Sequence, residues 1–189
     1  MANKDAAFGL KAIGKVGQNR DSQGLSEYDI AASATAIYQG DPVEMLATGT
    51  IGVAAAGDVL LGSLNGVFYT DASTSKPTFA NHLEASNTAT DIVGFVSDDP
   101  YERFEVQSNN AGASAQTDIG NVANIAYTAG SAPNYVSKVE LDDSDLATTD
   151  GQLKVISLSK DPVNNDLTSA NVNWIVTINE HFLKQTAGI

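Results

Sequence analysis

The chain has 189 residues, no cysteine and a formal net charge of −13. Without cysteine there is no disulfide framework and no Cys-based zinc site, so packing and hydrogen bonds alone must hold the fold. A field of that sign repels phosphate backbones and argues against nucleic-acid binding by the body. Hydrophobic residues make up 42% of the chain and charged residues 17%. The polar remainder is mostly Ser, Thr, Asn, Gln and Gly, which suits turn-rich β structure. No apolar run approaches the ~20 residues of a membrane helix, and residues 1–8 lack the apolar segment of a secretory signal, so synthesis in the cytoplasm is expected.

Residues 1–27 read as an extended basic arm. Its first twenty residues hold Lys4, Lys11, Lys15 and Arg20 against Asp5 alone, a balance of +3, whereas the rest of the chain carries −16. Phe8, Leu10, Ile13 and Val16 stand out as apolar anchors for a partner surface; a frayed terminus is the plainer alternative. From Tyr28 to the C-terminus, residues 28–189, the pattern is that of a β body. Val43 to Ala54 reads as a hairpin around Thr48-Gly49. Val59 to Thr70 reads as a second hairpin, because Asn65-Gly66 tolerates the positive φ of a tight turn.

Residues 71–90 read as a polar excursion loop. Ile92 to Val96 forms a short buried strand stopped by Asp98-Asp99-Pro100. Residues 103–107 alternate, with Phe104 and Val106 on one face and Arg103, Glu105 and Gln107 on the other. Strands are also expected over residues 119–127 and 135–141, and around Leu153, Val155 and Leu158. Residues 172–182 form the clearest strand, with Trp174 in step with Val172, Val176 and Ile178 as a core anchor. Many short strands with turn signals between them predict an all-β fold, a small β-barrel or sandwich with the N-terminal arm appended. Its expected core is Val43, Phe68, Phe95, Phe104, Val106, Trp174, Val176 and Ile178.

The chemistry-bearing patterns are weak. Gly9 to Val16 has the spacing of a phosphate-binding loop up to its last position, where Val16 replaces the Ser or Thr that ligates Mg²⁺. It also lacks the preceding strand and following helix that give such a loop its mechanism. His82 and His181 read as independent surface positions, not a metal pair. Asp142, Asp143 and Asp145 resemble part of a calcium loop, but Thr148 stands where the loop needs glycine. Asp98-Asp99 before a proline is turn chemistry. No catalytic, cofactor-binding or metal residue is assigned, and the chain is read as a non-enzyme.

Several segments, in order, resemble structural proteins encoded beside the capsid gene of tailed phages, including marine and cyanobacterial ones. They are the start Met1-Ala-Asn-Lys-Asp-Ala-Ala-Phe-Gly-Leu10, then Tyr38-Gln-Gly-Asp-Pro-Val43 and Leu61-Gly-Ser-Leu-Asn-Gly-Val-Phe-Tyr69. Asp99-Pro-Tyr-Glu-Arg-Phe-Glu-Val-Gln107 and Asp118-Ile-Gly-Asn121 follow. The resemblance implies a cement or decoration protein on the outer surface of the virion head, bridging subunits of the major capsid protein shell. It brings no catalytic residues. A homodimer or homotrimer is expected, since such proteins sit on local symmetry axes. The arm is expected to reach away from the body. Phe8, Leu10 and Ile13 would fill apolar pockets of the shell while Lys4, Lys11, Lys15 and Arg20 meet carboxylates. The alternative is a carbohydrate- or surface-binding β module of a fibre or adhesin, which predicts exposed tyrosines gathered on one face.

Overall fold

The computed structural model describes residues 2–17, 24–109 and 114–186. In chain order the strands are β1 (Lys11–Lys15), β2 (Ser26–Asp29), β3 (Pro42–Met45), β4 (Ile51–Val53), β5 (Leu60–Thr70), β6 (Pro77–Ala80) and β7 (Val93–Ser97). They continue with β8 (Glu102–Gln107), β9 (Val122–Ala123), β10 (Ile125–Ala126), β11 (Glu140–Leu141), β12 (Leu153–Leu158) and β13 (Asn173–Ile178). Helical structure among the described residues is limited to two short 3₁₀ turns, Gln116–Asp118 and Phe182–Lys184. The fold is all-β and sandwich-like, as the strand-and-turn pattern predicts.

Two sheets carry the molecule. One is five-stranded, in the order β1-β8-β13-β12-β9. The other is six-stranded, in the order β2-β7-β5-β3-β4, with β6 also paired to β5. All the pairings are antiparallel. Each sheet has its own apolar cluster. Phe104, Val106, Leu153, Val155, Trp174, Val176 and Ile178 pack with Leu10 and Leu60 in one; Ile30, Ile37, Val43, Ile51, Leu61, Leu64 and Val96 form the other. Because successive side chains on a strand point to opposite faces, Leu60 and Leu61 of β5 join the two clusters through a single step of backbone.

Val43, Phe104, Val106, Trp174, Val176 and Ile178 are buried as their alternation predicts, but Phe68 and Phe95 are not. Their neighbours Val67 and Val96 take the inward face, which turns both rings outward to a half-exposed position. The register follows from Gly94, where an added Cβ would lie 3.0 Å from both Ile30 Cδ1 and Ile51 Cδ1.

The hairpin around Gly49 forms as expected between β3 and β4, with Gly49 at φ +78°. The hairpin at Asn65-Gly66 does not form. β5 runs straight through that dipeptide as one strand of 11 residues, with a bulge between Leu64 and Gly66. Gly66 serves close approach instead of a turn: a Cβ there would stand 3.0 Å from the Ala80 carbonyl oxygen. The segment read as a loop over 71–90 supplies β6 and the buried Leu83 and Ala89.

Residues 2–17 run along the body and are part of its framework, which corrects the expectation of an arm that reaches away. β1 pairs with β8 as an edge strand of the five-stranded sheet. Upstream of it, the Gln107 and Asn164 side-chain amides donate to the Lys4 carbonyl at 2.9 and 2.7 Å. The Ala6 amide donates to Gln107 Oε1 at 2.9 Å. Leu10 N–H donates to the Gly40 carbonyl at 2.8 Å, and Ser63 Oγ donates to the Leu10 carbonyl at 2.7 Å. Leu10 itself is 1% exposed. These buried amide groups would lose their partners if the segment left. Gly9 to Val16 therefore makes a glycine crossing followed by a strand, not a phosphate loop ahead of a helix.

Candidate docking surfaces

Tyr38-Gln-Gly-Asp-Pro-Val43 is a structural corner. Asp41 is fully buried, and its Oδ2 accepts the Tyr38 N–H at 2.8 Å, closing a turn in which Gly40 takes φ +87°. Burial pushes the Asp41 carboxyl up to about 6, opposed by its hydrogen bonds to Ser137 and to Tyr38 N–H. Asp98 accepts hydrogen bonds from Ser26 Oγ and Tyr28 Oη at 2.9 and 2.6 Å. Asp99 accepts the Tyr101 N–H at 2.8 Å and so serves the turn, whereas Asp98 ties that turn to β2.

The two histidines are not surface groups. His82 stacks on Tyr135 with ring centroids 3.9 Å apart, and Tyr38 lies beyond at 6.2 Å. His181 is fully buried and its Nδ1 accepts the Leu183 N–H at 3.1 Å, starting the C-terminal 3₁₀ turn. Burial, then Lys184, pushes its pKa down to about 4, which leaves it neutral at pH 7. Asp142 accepts from Ser144, and Asp145 accepts from Asn124. Among the described residues, no three His, Asp or Glu side chains gather in a way that would hold a metal ion. No helix among them is long and apolar enough to cross a membrane.

The proposed arm residues separate into two groups. Leu10 is core. Phe8 is half-buried and lines, with Leu10, Gln39, Gly40 and Val136, a cleft of about 370 Å³ between the N-terminal segment and the six-stranded sheet. Lys15 is held at 2.7 Å by Asp99, whose carboxyl is kept below the usual range first by that lysine. These three are engaged by the body. Lys4 and Lys11 remain exposed, and Lys11 reaches only a loose 3.7 Å pair with Glu105. Ile13 is 47% exposed and Val16 44% exposed. Arg20 lies outside the described residues. The outer edge of β1 thus presents isoleucine and lysine side by side on a strand of the sheet.

A second surface carries no sequence signal of its own. On the outer face of the six-stranded sheet, Phe79 of β6 is 75% exposed. Its ring lies 4.7 Å from Phe68 and 6.3 Å from Phe95. The reason is register: Phe68 pairs with Phe79 on one side of β5, and on the other side Phe95 of β7 pairs with Gly66, two residues along from the pair of Phe68 with Val93. The tyrosines fall in several places. Tyr28 is tied to Asp98, Tyr69 packs on a core cluster and Tyr101 lies under Lys184, while Tyr38 and Tyr135 flank His82 with Tyr127 near Tyr38.

Glu140 of β11 gives a test of the electrostatics near the N-terminal segment. Burial raises its carboxyl to about 7, and Asp5 and Asp143 add to the shift. The folded state therefore holds the proton more tightly than the unfolded chain does. Stability falls as pH rises from ~4.5 to ~7, and the penalty persists above that. Glu140→Gln should raise the melting temperature at about pH 8, with the gain vanishing below about pH 4.5. Calorimetry at the two pH values reads this directly; an equal shift at both would exclude the carboxyl as its source.

No protein-family model, no curated protein and no solved structure matches this chain.

Proposed function

We propose that the protein is a non-enzymatic accessory protein of a tailed-phage head, which binds the outside of the capsid shell and bridges its subunits. The observation that carries this reading is the mixed apolar and basic surface of β1, with Lys11 and Ile13 exposed on the strand and Val16 exposed just beyond its end, in a chain that is otherwise strongly acidic. An exposed isoleucine flanked by lysine fits an apolar pocket rimmed by carboxylates on a protein surface. The ordered motifs that resemble head-accessory proteins support the same reading. Three of the five fall on or lead into β3, β5 and β8, framework strands of the two sheets. The six tyrosines do not share one face, as the carbohydrate-binding alternative expects: Tyr28, Tyr69 and Tyr101 lie apart from the group around His82.

Because the N-terminal segment is built into the sheet, deleting it would test folding instead of docking. Substitution at the edge is the sharper experiment. Ile13→Asp and Lys11→Glu should each leave the melting temperature within a few degrees, since both side chains are exposed. Combined, they should weaken binding to heads stripped of this protein by at least ~10-fold, about 1.4 kcal/mol. Unchanged binding by a folded double variant would remove the β1 edge from the contact.

A further inference from the structure

Alternation along β8 and β13 sets what the five-stranded sheet shows to the outside. Phe104, Val106, Trp174 and Val176 point into the core, so Arg103, Glu105 and Ile175 stand on the opposite face. A cleft of about 530 Å³ crosses that face, walled by β1 on one side and by residues 157–161 on the other. Its charged groups are Lys11, Arg103 and Lys160 against Glu105 and Asp161. That is an excess of cation in a chain of net charge −13.

Both carboxylates are already engaged. Glu105 accepts the Ser159 hydroxyl through Oε1, and its Oε2 lies 3.7 Å from Lys11 Nζ. Asp161 Oδ1 accepts the Val163 N–H at 2.9 Å. Arg103 and Lys160 make no ion pair among the described residues. Arg103 Nε is buried without a hydrogen-bond partner, a costly state for a charged donor. Its Nη2 lies against the bulge of β1, 3.9 Å from where a Cβ on Gly14 would stand. Exposed Ile13 and half-buried Ile175 supply the apolar part of the cleft.

We propose that this cleft receives a carboxylate side chain of a partner protein. Arg103 is its main ligand, and Ile13 and Ile175 bed the apolar residues beside that carboxylate. The proposal extends the reading of β1 as a docking surface and rests on it for Lys11 and Ile13. The partner's chemistry follows from the lining. A planar guanidinium with unspent donors matches a carboxylate through paired N–H···O bonds. Inorganic phosphate would gain nothing from the isoleucines. A nucleic acid would meet a few cations and then a strongly acidic surface, with no aromatic ring in the cleft for a base to stack on. A protein segment with Glu or Asp beside an apolar residue uses both parts of the cleft.

The test needs no heads. The probe is the capped peptide Leu-Glu-Val-Glu-Leu-Glu, titrated into the isotope-labelled full chain and followed by amide NMR. A dissociation constant on the order of 0.1–1 mM is expected, with shifts centred on Ile13, Arg103, Ser159 and Ile175. The peptide with Gln in place of Glu should bind at least ~10-fold more weakly, and so should the Glu peptide to Arg103→Gln. Arg103→Lys, which keeps the charge and loses the fork, should recover only part of the loss. Lys160→Glu, at an exposed position, should weaken binding without loss of fold. Lys76→Glu makes the same charge change beside β6 of the other sheet and should not. No shift at up to about 5 mM peptide, equal binding of the two peptides, or binding indifferent to both Arg103→Gln and Lys160→Glu would overturn the proposal. So would a stronger response to inorganic phosphate or to a single-stranded oligonucleotide. Heads separate this claim from the wider one. Heads that bind the wild type and Arg103→Gln equally would refute the cleft and leave the shell reading standing. Heads that bind neither would refute the shell reading, while the peptide result still decides the cleft.

Discussion

Trp174→Ala should lower the stability of the fold by about 3–5 kcal/mol, the range for emptying a large aromatic site in a packed core. Trp174 is fully buried and sits mid-sheet, paired with Val106 of β8 on one side and Leu158 of β12 on the other. Its cluster includes Phe104, Leu153, Val155, Val176 and Leu10, drawn from β8, β12, β13 and the N-terminal segment. Collapse around the missing indole would require both neighbouring strands to shift in register, which their ladders oppose. Chemical denaturation should show the midpoint falling with little change in slope. A loss below about 1 kcal/mol would mean that the indole does not hold the five-stranded sheet together.

Gly9→Ala should be the most damaging small substitution. Gly9 adopts φ +74°, a conformation costing an L-residue roughly 1–2 kcal/mol. An added Cβ there would lie 2.2 Å from the Gly40 carbonyl oxygen and 2.5 Å from Ser137 Cβ. That oxygen is the acceptor for Leu10 N–H, so it has no freedom to withdraw. Overpacking of this kind typically adds about 1–3 kcal/mol. The expected total exceeds about 2 kcal/mol, or roughly 4–8 °C in melting temperature for a chain of this size. Gly17→Ala is the matched control, with positive φ but nothing within 4 Å of the added carbon. Similar losses at the two positions would show that backbone strain, not the crossing over Gly40, sets the cost.

Strands with clean alternation are legible in the amino-acid sequence. Phe104 and Val106 in β8, and Trp174, Val176 and Ile178 in β13, declare both their period and their buried face, because polar residues occupy most of the opposite one. β5 and β7 do not. Val67 and Phe68 are both apolar, as are Phe95 and Val96, so a period of two fits either face. The deciding contact, Gly94 against Ile30 and Ile51, is non-local. Asn65-Gly66 misleads for a related reason. Glycine is used both for positive φ and for close approach, and here the approach of β6 is what requires it. β6 itself hides because its one large apolar residue, Phe79, faces outward. That same fact conceals the phenylalanine surface. In the N-terminal segment, Ile13 reads as a partner anchor like Phe8 and Leu10, and of the three it alone is exposed, beside the exposed Lys4 and Lys11. Leu10 and Phe8 read as anchors for a partner because the groups they meet, Gly40, Ser63 and Val136, lie far along the chain.

The reading of the molecule as a head accessory protein is most directly tested on particles. On the proposed reading the chain is encoded by a tailed phage, and heads purified from that phage should contain the protein in a fixed ratio to the shell protein, set by one class of symmetry site. Quantitative mass spectrometry gives the ratio, and electron microscopy of the same heads should show density for two joined sheets on the outer surface. Heads that contain no copies, or a variable trace removed by washing, would contradict the account.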